Sequence, residues 1–284
     1  MNDTPKINSI LHVNGLVWIT SLRESEVGVT RRLVEDLEVF CNSIRLPFFV
    51  EEPQTAVDLL RLLDELALAA RVKGFSPIIH FDTHAGKETG LAIAASDESI
   101  PWEVLMEKLR AINIATRNNL CVISFACYGF HQAVPITILK EAPFYMLAAP
   151  DKIVRAGYVE RVVVPFYTSV FTEMDIMGSF QRHLGEELLL LHSEELFLTS
   201  VIGYIREKCI GKAAQRRVED LLTQARKEGI LLTPERLKQY RKLIRTGIKP
   251  TQGLLDRWVT SFLLGKPISF QIADVMNLVH KQQK

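Results

Sequence analysis

Cysteine is scarce in this chain of 284 residues, and the four present, Cys41, Cys121, Cys127 and Cys209, include no C-x-x-C pair. That spacing argues against zinc ribbons, thioredoxin-type redox pairs and a disulfide framework, and leaves free thiols of a reducing compartment as the expectation. Long apolar runs are missing too. Leu188 to Leu191 is only four leucines, far below the roughly 20 residues of a membrane span. The N-terminus has no basic region followed by an apolar stretch, so a cytoplasmic protein with no membrane partner is expected. Fixed-period repeats and low-complexity tracts are absent. What remains is 48% hydrophobic and 24% charged, the make-up of a globular chain with one large domain or two modest ones.

Net charge is also nearly lacking, at +1, but the total is a cancellation. Residues 1 to 204 hold 17 Lys and Arg against 26 Asp and Glu, whereas residues 205 to 284 hold 17 against 7. Such a split points to two functional surfaces. The basic end could meet an acidic protein or nucleic acid, lie against the acidic part of its own chain, or be a solvated helical face.

The first 180 residues alternate strand and helix signals. Apolar runs at 16–22, 46–51, 76–82, 120–126 and 142–149 read as strands, with a short hairpin around 90–95. Between them, 28–41, 55–72 and 101–117 carry helical spacing, with Thr55 placed to cap the second; 157–171 reads as a helix started or interrupted near Pro165. This βαβαβ rhythm predicts an α/β fold with a mostly parallel sheet covered by helices on both faces. From residue 180 the strand signals fade, and helices are expected over 188–209, 212–227, 233–244, 253–264 and 269–280. Thr233 and Pro234 have the residue types of an N-cap and first helical position. The expected organisation is a domain over 1–180 and an all-helical, basic extension over 181–284.

In such a sheet, reacting groups collect beyond the carboxyl ends of the strands. Two ends stand out: His80-Phe-Asp-Thr-His-Ala-Gly86 and Ser124-Phe-Ala-Cys-Tyr-Gly129. Neighbouring strands lie about 5 Å apart, so His84 past one and Cys127 past the next could face each other across a substrate. A thiol beside an imidazole is the pairing a cysteine nucleophile needs, the base raising the thiolate fraction and later protonating the leaving amine. Backbone amides near Gly86 and Gly129 could hold a tetrahedral oxyanion.

These segments resemble the caspase-like cysteine peptidases, and most closely their bacterial CHAT branch, which is similar in turn to separases. The likeness covers roughly residues 15 to 180, including Ala149-Pro-Asp-Lys-Ile153 and Val164-Pro-Phe-Tyr167. It implies an endopeptidase without a cofactor: His84 as base and proton donor, Cys127 as nucleophile, and an oxyanion hole from the amide of Cys127 and one near Ala85 or Gly86. Asp151 falls where separase-like enzymes recognise a basic side chain, although an acid after a proline turn also reads as a loop residue. The resemblance further implies a protein substrate, a regulatory partner docking on the helical extension, and a regulated effector in bacterial antiviral defence.

The family pattern has Gly directly after the histidine, and this chain has Ala85. That motivates an alternative, a catalytically inactive scaffold that binds a partner protein. A lesser alternative is a metal-dependent hydrolase using His80, Asp82 and His84, which share one face of an extended strand. For Cys127 the plain alternative is a buried strand cysteine, a role that Cys121 fits better. His131 follows too closely on Cys127 to serve it, and His183 and His192 fall in helical stretches. The basic tail carries no nucleic-acid motif, so specific nucleic-acid binding is possible and not favoured on charge alone.

Overall fold

The computed structural model describes residues 10–129, 138 and 140–281, so His131 lies outside the described residues. The chain falls into two compact units, one formed mainly by residues before Glu194 and the other mainly by Glu194 onward.

The first unit is built on a six-stranded sheet. Its elements run β1 (Gly15–Ser21), α1 (Val27–Ser43), β2 (Phe48–Glu51), α2 (Ala56–Lys73), β3 (Pro77–Thr83), β4 (Ala85–Gly86), β5 (Gly90–Ile93), β6 (Glu98–Ile100), α3 (Trp102–Ala115), β7 (Cys121–Ser124), β8 (Met146–Ala149), α4 (Ala156–Glu173), α5 (Ile176–His183) and β9 (Leu189–His192). Strand order is β2-β1-β3-β7-β8-β9; the first five are parallel and β9 joins antiparallel. Every residue of β1, β3, β7 and β8 is buried, which is why they read as continuous apolar runs and not as alternating ones. Leu16, Trp18, Ile78, Cys121 and Ile123 share a core with Leu33 and Leu37 of α1 and Val163, Phe166 and Tyr167 of α4. On α2, Thr55 closes a capping box with Asp58, and Gly74 ends the helix at φ +66°. The α/β class with a mostly parallel sheet, helices and C-terminal helices is therefore observed.

The strand order places a topological switch between β1 and β3. The chain leaves β1 for α1, which packs with α4, and leaves β3 for the small β4-β5-β6 sheet and α3, which packs with α2. Loops that part to opposite faces open a crevice at the carboxyl edge. Gly90 is required in the small sheet: its φ is +91°, and a Cβ there would sit 1.9 Å from the Ile100 carbonyl oxygen.

Two expectations need correction. Residues 189–192 form β9 beside β8, not the start of a helix, so the sheet unit extends past residue 180 to about 193. Four leucines fit either state, and pairing with a strand forty residues earlier decides between them. Pro165 neither starts nor interrupts α4; it sits inside an unbroken helix on its exposed side, where the lost N–H leaves no buried carbonyl stranded.

The second unit contains α6 (Ser193–Tyr204), a π-helical turn (Ile205–Cys209), α7 (Gly211–Lys227), α8 (Pro234–Gly247), α9 (Gln252–Phe262) and α10 (Ile272–Lys281). Phe197 stacks with Phe262 and Phe270 at centroid distances of 5.8 and 6.2 Å. Thr233 caps α8 by accepting a hydrogen bond from the Arg236 amide, with Pro234 in the first turn. Among the described residues no helix is long and apolar enough to cross a membrane.

Candidate active site

Strands β3 and β7 carry the two segments singled out in the sequence. Their register pairs Phe81 with Ser124, and the Phe125 amide donates to the Phe81 carbonyl at 2.9 Å. His84 and Cys127 each lie three residues beyond that last pair, so both stand at the same carboxyl edge of adjacent parallel strands.

Cys127 follows the strand on a tight turn closed by the Gly129 amide donating to the Ala126 carbonyl at 2.9 Å. The next residue, Tyr128, takes φ +60°, an uncommon conformation for a bulky side chain that collects at functional turns. Its amide donates to the Lys152 carbonyl at 3.4 Å, which ties the segment of exposed Asp151 to the cysteine turn. Cys127 is half-buried, and the other three thiols are buried.

His84 is also half-exposed. Its Nε2 meets Glu26 Oε1 at 3.0 Å, and no hydrogen bond joins it to Cys127 among the described residues. Glu26 sits just before α1, at the end of the β1 loop, so this contact bridges the crevice at the switch point. The hydrogen bond from His84, with a further one from the Arg23 amide at 3.1 Å, holds the Glu26 carboxyl below its usual range. One turn into α1, Thr30 Oγ1 donates to Asp82 Oδ2 at 2.5 Å, anchoring that helix to the end of β3. Burial raises the Asp82 carboxyl, with Thr30 and His84 opposing it.

Ala85 begins β4, the edge strand of the small sheet. The Ala92 amide donates to the His84 carbonyl at 2.9 Å, which makes 84/92 a hydrogen-bonded pair. In an antiparallel ladder the next pair, Ala85 and Leu91, is then non-hydrogen-bonded, so the Ala85 amide points away from β5. Ala85 is not among the residues with positive φ. Neither the Ala85 nor the Cys127 amide has an acceptor among the described residues. Gly86 pairs with Gly90 in the next, hydrogen-bonded step of the ladder, so its amide is directed to β5, and its carbonyl accepts from Trp102 Nε1 at 3.2 Å.

No family model matches this sequence, and no curated protein is similar to it.

The metal arrangement does not form. His80 is fully buried in the α1/α4 core, stacked on Trp18 at 3.7 Å and bonded through Nδ1 to the Tyr167 hydroxyl at 2.8 Å. Burial pushes its imidazole down to about 3. Strand β3 ends at Thr83, and His84 turns to Glu26 instead of continuing the line of His80 and Asp82. Among the described residues no three His, Cys, Asp or Glu side chains gather into a ligand set. Glu26 was missed in the sequence. Its one visible signal was an acid between a buried strand and a helix at the first strand end, the same rule that picked out His84 and Cys127.

Proposed function

We propose that the first unit is a caspase-like cysteine endopeptidase that hydrolyses a peptide bond of a partner protein. The observation that carries this reading is the equal placement of His84 and Cys127 beyond the last register pair of β3 and β7, with the amides of Ala85 and Cys127 lacking an acceptor among the described residues. In the reaction, Cys127 Sγ attacks the carbonyl carbon, and the two amides stabilise the oxyanion. His84 takes the thiol proton and delivers it to the departing amine; water then attacks the thioester, releasing the acid and restoring the thiol. Glu26 acts as a positioning residue that fixes the ring of His84. The Ala85 substitution is compatible with this chemistry, because an amide and not a side chain is what the oxyanion needs. Asp151, exposed on the segment bonded to Tyr128, would select a basic side chain before the cleaved bond. The helical unit would dock a regulatory partner, and a regulated effector of bacterial antiviral defence is the setting that the resemblance in motif suggests.

The test is to express the full chain with its genomic neighbours and follow cleavage of their products. Cys127→Ala is expected to abolish cleavage, and His84→Ala to slow it by about 10² to 10⁴. Glu26→Gln should lower kcat by up to about 10² and displace the pH–rate profile, while Glu26→Asp restores part of it. Full biological effect from both Cys127→Ala and His84→Ala, with no neighbour cleaved, would sink the peptidase reading in favour of the inactive scaffold.

A further inference from the structure

The α7–α8 hairpin concentrates the positive charge of the molecule. Residues 211 to 249 hold eleven Lys and Arg against four Asp and Glu, a balance of +7. Helix α8 has 14 residues and buries none of them fully, so packing does not account for its surface. Lys238, Lys242 and Arg245, followed by Lys249 just past the helix end, fall at i, i+4, i+7 and i+11 and share one face. Like charges at this spacing repel and weaken an isolated helix. None of the four has an ion-pair or hydrogen-bond partner from its side chain among the described residues. The only carboxylate on α8, Glu235, sits in its first turn. The acid facing α8 from α7, Glu219, is already held in two hydrogen bonds of 3.0 Å by Arg241, and Arg245 and Arg226 crowd the same carboxylate.

A second feature lies at the other end of α7. A groove of about 380 Å³ opens beside the π-helical turn, lined by Arg206, Lys208, Arg216 and Arg217 with Glu207 and Asp220. Arg217 Nε is buried there with no hydrogen-bond partner among the described residues. The start of α7 has no side-chain cap, so its first-turn amides add to the positive field.

From these observations we infer that the α7–α8 hairpin binds the phosphate backbone of a nucleic acid without reading its sequence. The helix rises about 14 Å from Lys238 to its end at Gly247, with Lys249 just beyond, long enough to follow several phosphates of one strand. Lysines on flexible stems suit such point-charge contacts, whereas the core of a protein interface is depleted of lysine and centred on aromatic or apolar anchors, which this face of α8 lacks. The inference does not depend on the peptidase reading, because every residue it uses belongs to the helical unit.

Fluorescence anisotropy of the full chain with mixed-sequence 20-nucleotide single strands and 20-base-pair duplexes, in 50 to 200 mM KCl, tests it. Binding is expected with a negative slope of log affinity against log salt. The triple variant Lys238→Gln/Lys242→Gln/Arg245→Gln should weaken it at least tenfold at 50 mM and reduce the slope by about 2 to 3. Arg71→Gln/Lys73→Gln, on the sheet unit, should change neither. Circular dichroism and Tm report folding; if the triple variant is unfolded, Lys208→Gln/Arg216→Gln in the groove takes its place with the same expected direction. No binding by folded wild type at 50 mM KCl, binding indifferent to the decisive variant, or equal affinity for poly-glutamate of matched length overturns the inference; the last would assign the face to an acidic protein.

Discussion

Burial holds three of the four thiols in their protonated form: desolvation raises Cys41 to about 11 and pushes Cys121 and Cys209 up as well. Cys127 sits half-buried on a turn outside the strand. Because the thiolate is the reactive species, burial holds back the other three thiols, while Cys127 is the accessible one. One equivalent of iodoacetamide at pH 7.5 should therefore label Cys127 in the folded protein, with the other three modified only after denaturation, as read by peptide mass spectrometry. His84→Ala should slow that labelling if the imidazole serves the thiol. Preferential labelling of Cys41 would contradict the assignment of Cys127 as the nucleophile. Labelling and cleavage separate two questions: the first reports the thiol, and the second reports the whole site.

Strand β3 shows how one element serves both packing and chemistry. Its middle buries His80 against Trp18 and Tyr167, and its end presents His84 to the crevice. In the folded chain His80 stays neutral down to about 3, whereas in the unfolded chain it takes a proton near 6.5. Its folded value is depressed, so the unfolded state binds the additional proton between those limits. Stability rises with pH across that window and is lost as pH falls from about 6.5, with a slope approaching ~1.4 kcal/mol per pH unit from this group. Urea titrations of wild type and His80→Phe between pH 4 and 7 should show a shallower dependence in the variant, whatever its absolute stability. Parallel dependences would mean that His80 is protonated in the folded core.

The same element marks what was legible in the sequence. Strands β1, β3 and β7 announce themselves because both of their faces are buried and their apolar runs are continuous; α2 and α8 announce themselves through Thr55 and Thr233. Strand β9 does not, because its pairing with β8 is non-local, and neither does the continuity of α4 through Pro165, which depends on which side of the helix meets solvent. At the site, the rule of strand ends located His84 and Cys127, since the chemistry sits where parallel strands stop. Glu26 reaches His84 across 58 positions of sequence, and the outward turn of the Ala85 amide follows from ladder phase. Both are set by tertiary geometry that no local pattern encodes.

For the whole molecule, the net charge of +1 conceals two units of opposite sign: residues 8–193 carry 16 basic and 23 acidic side chains, and Glu194 to Lys284 carry 17 and 9. Surface fields act over roughly a Debye length, about 10 Å at 0.1 M salt, so a charged partner senses the nearest patch more than the molecular total. A chain of this composition with its charges evenly mixed would have little reason to adhere to an ion exchanger at neutral pH. Segregated charges should give retention on a phosphate-bearing matrix at pH 7.5 and low salt, with elution as screening shortens the field. Lys238→Gln/Lys242→Gln/Arg245→Gln should elute at distinctly lower salt, whereas Arg31→Gln/Arg71→Gln/Lys73→Gln, which changes net charge by the same amount on the sheet unit, should elute near wild type. Equal shifts for the two variants would show that the matrix responds to total charge, and that the basic hairpin exerts no field of its own.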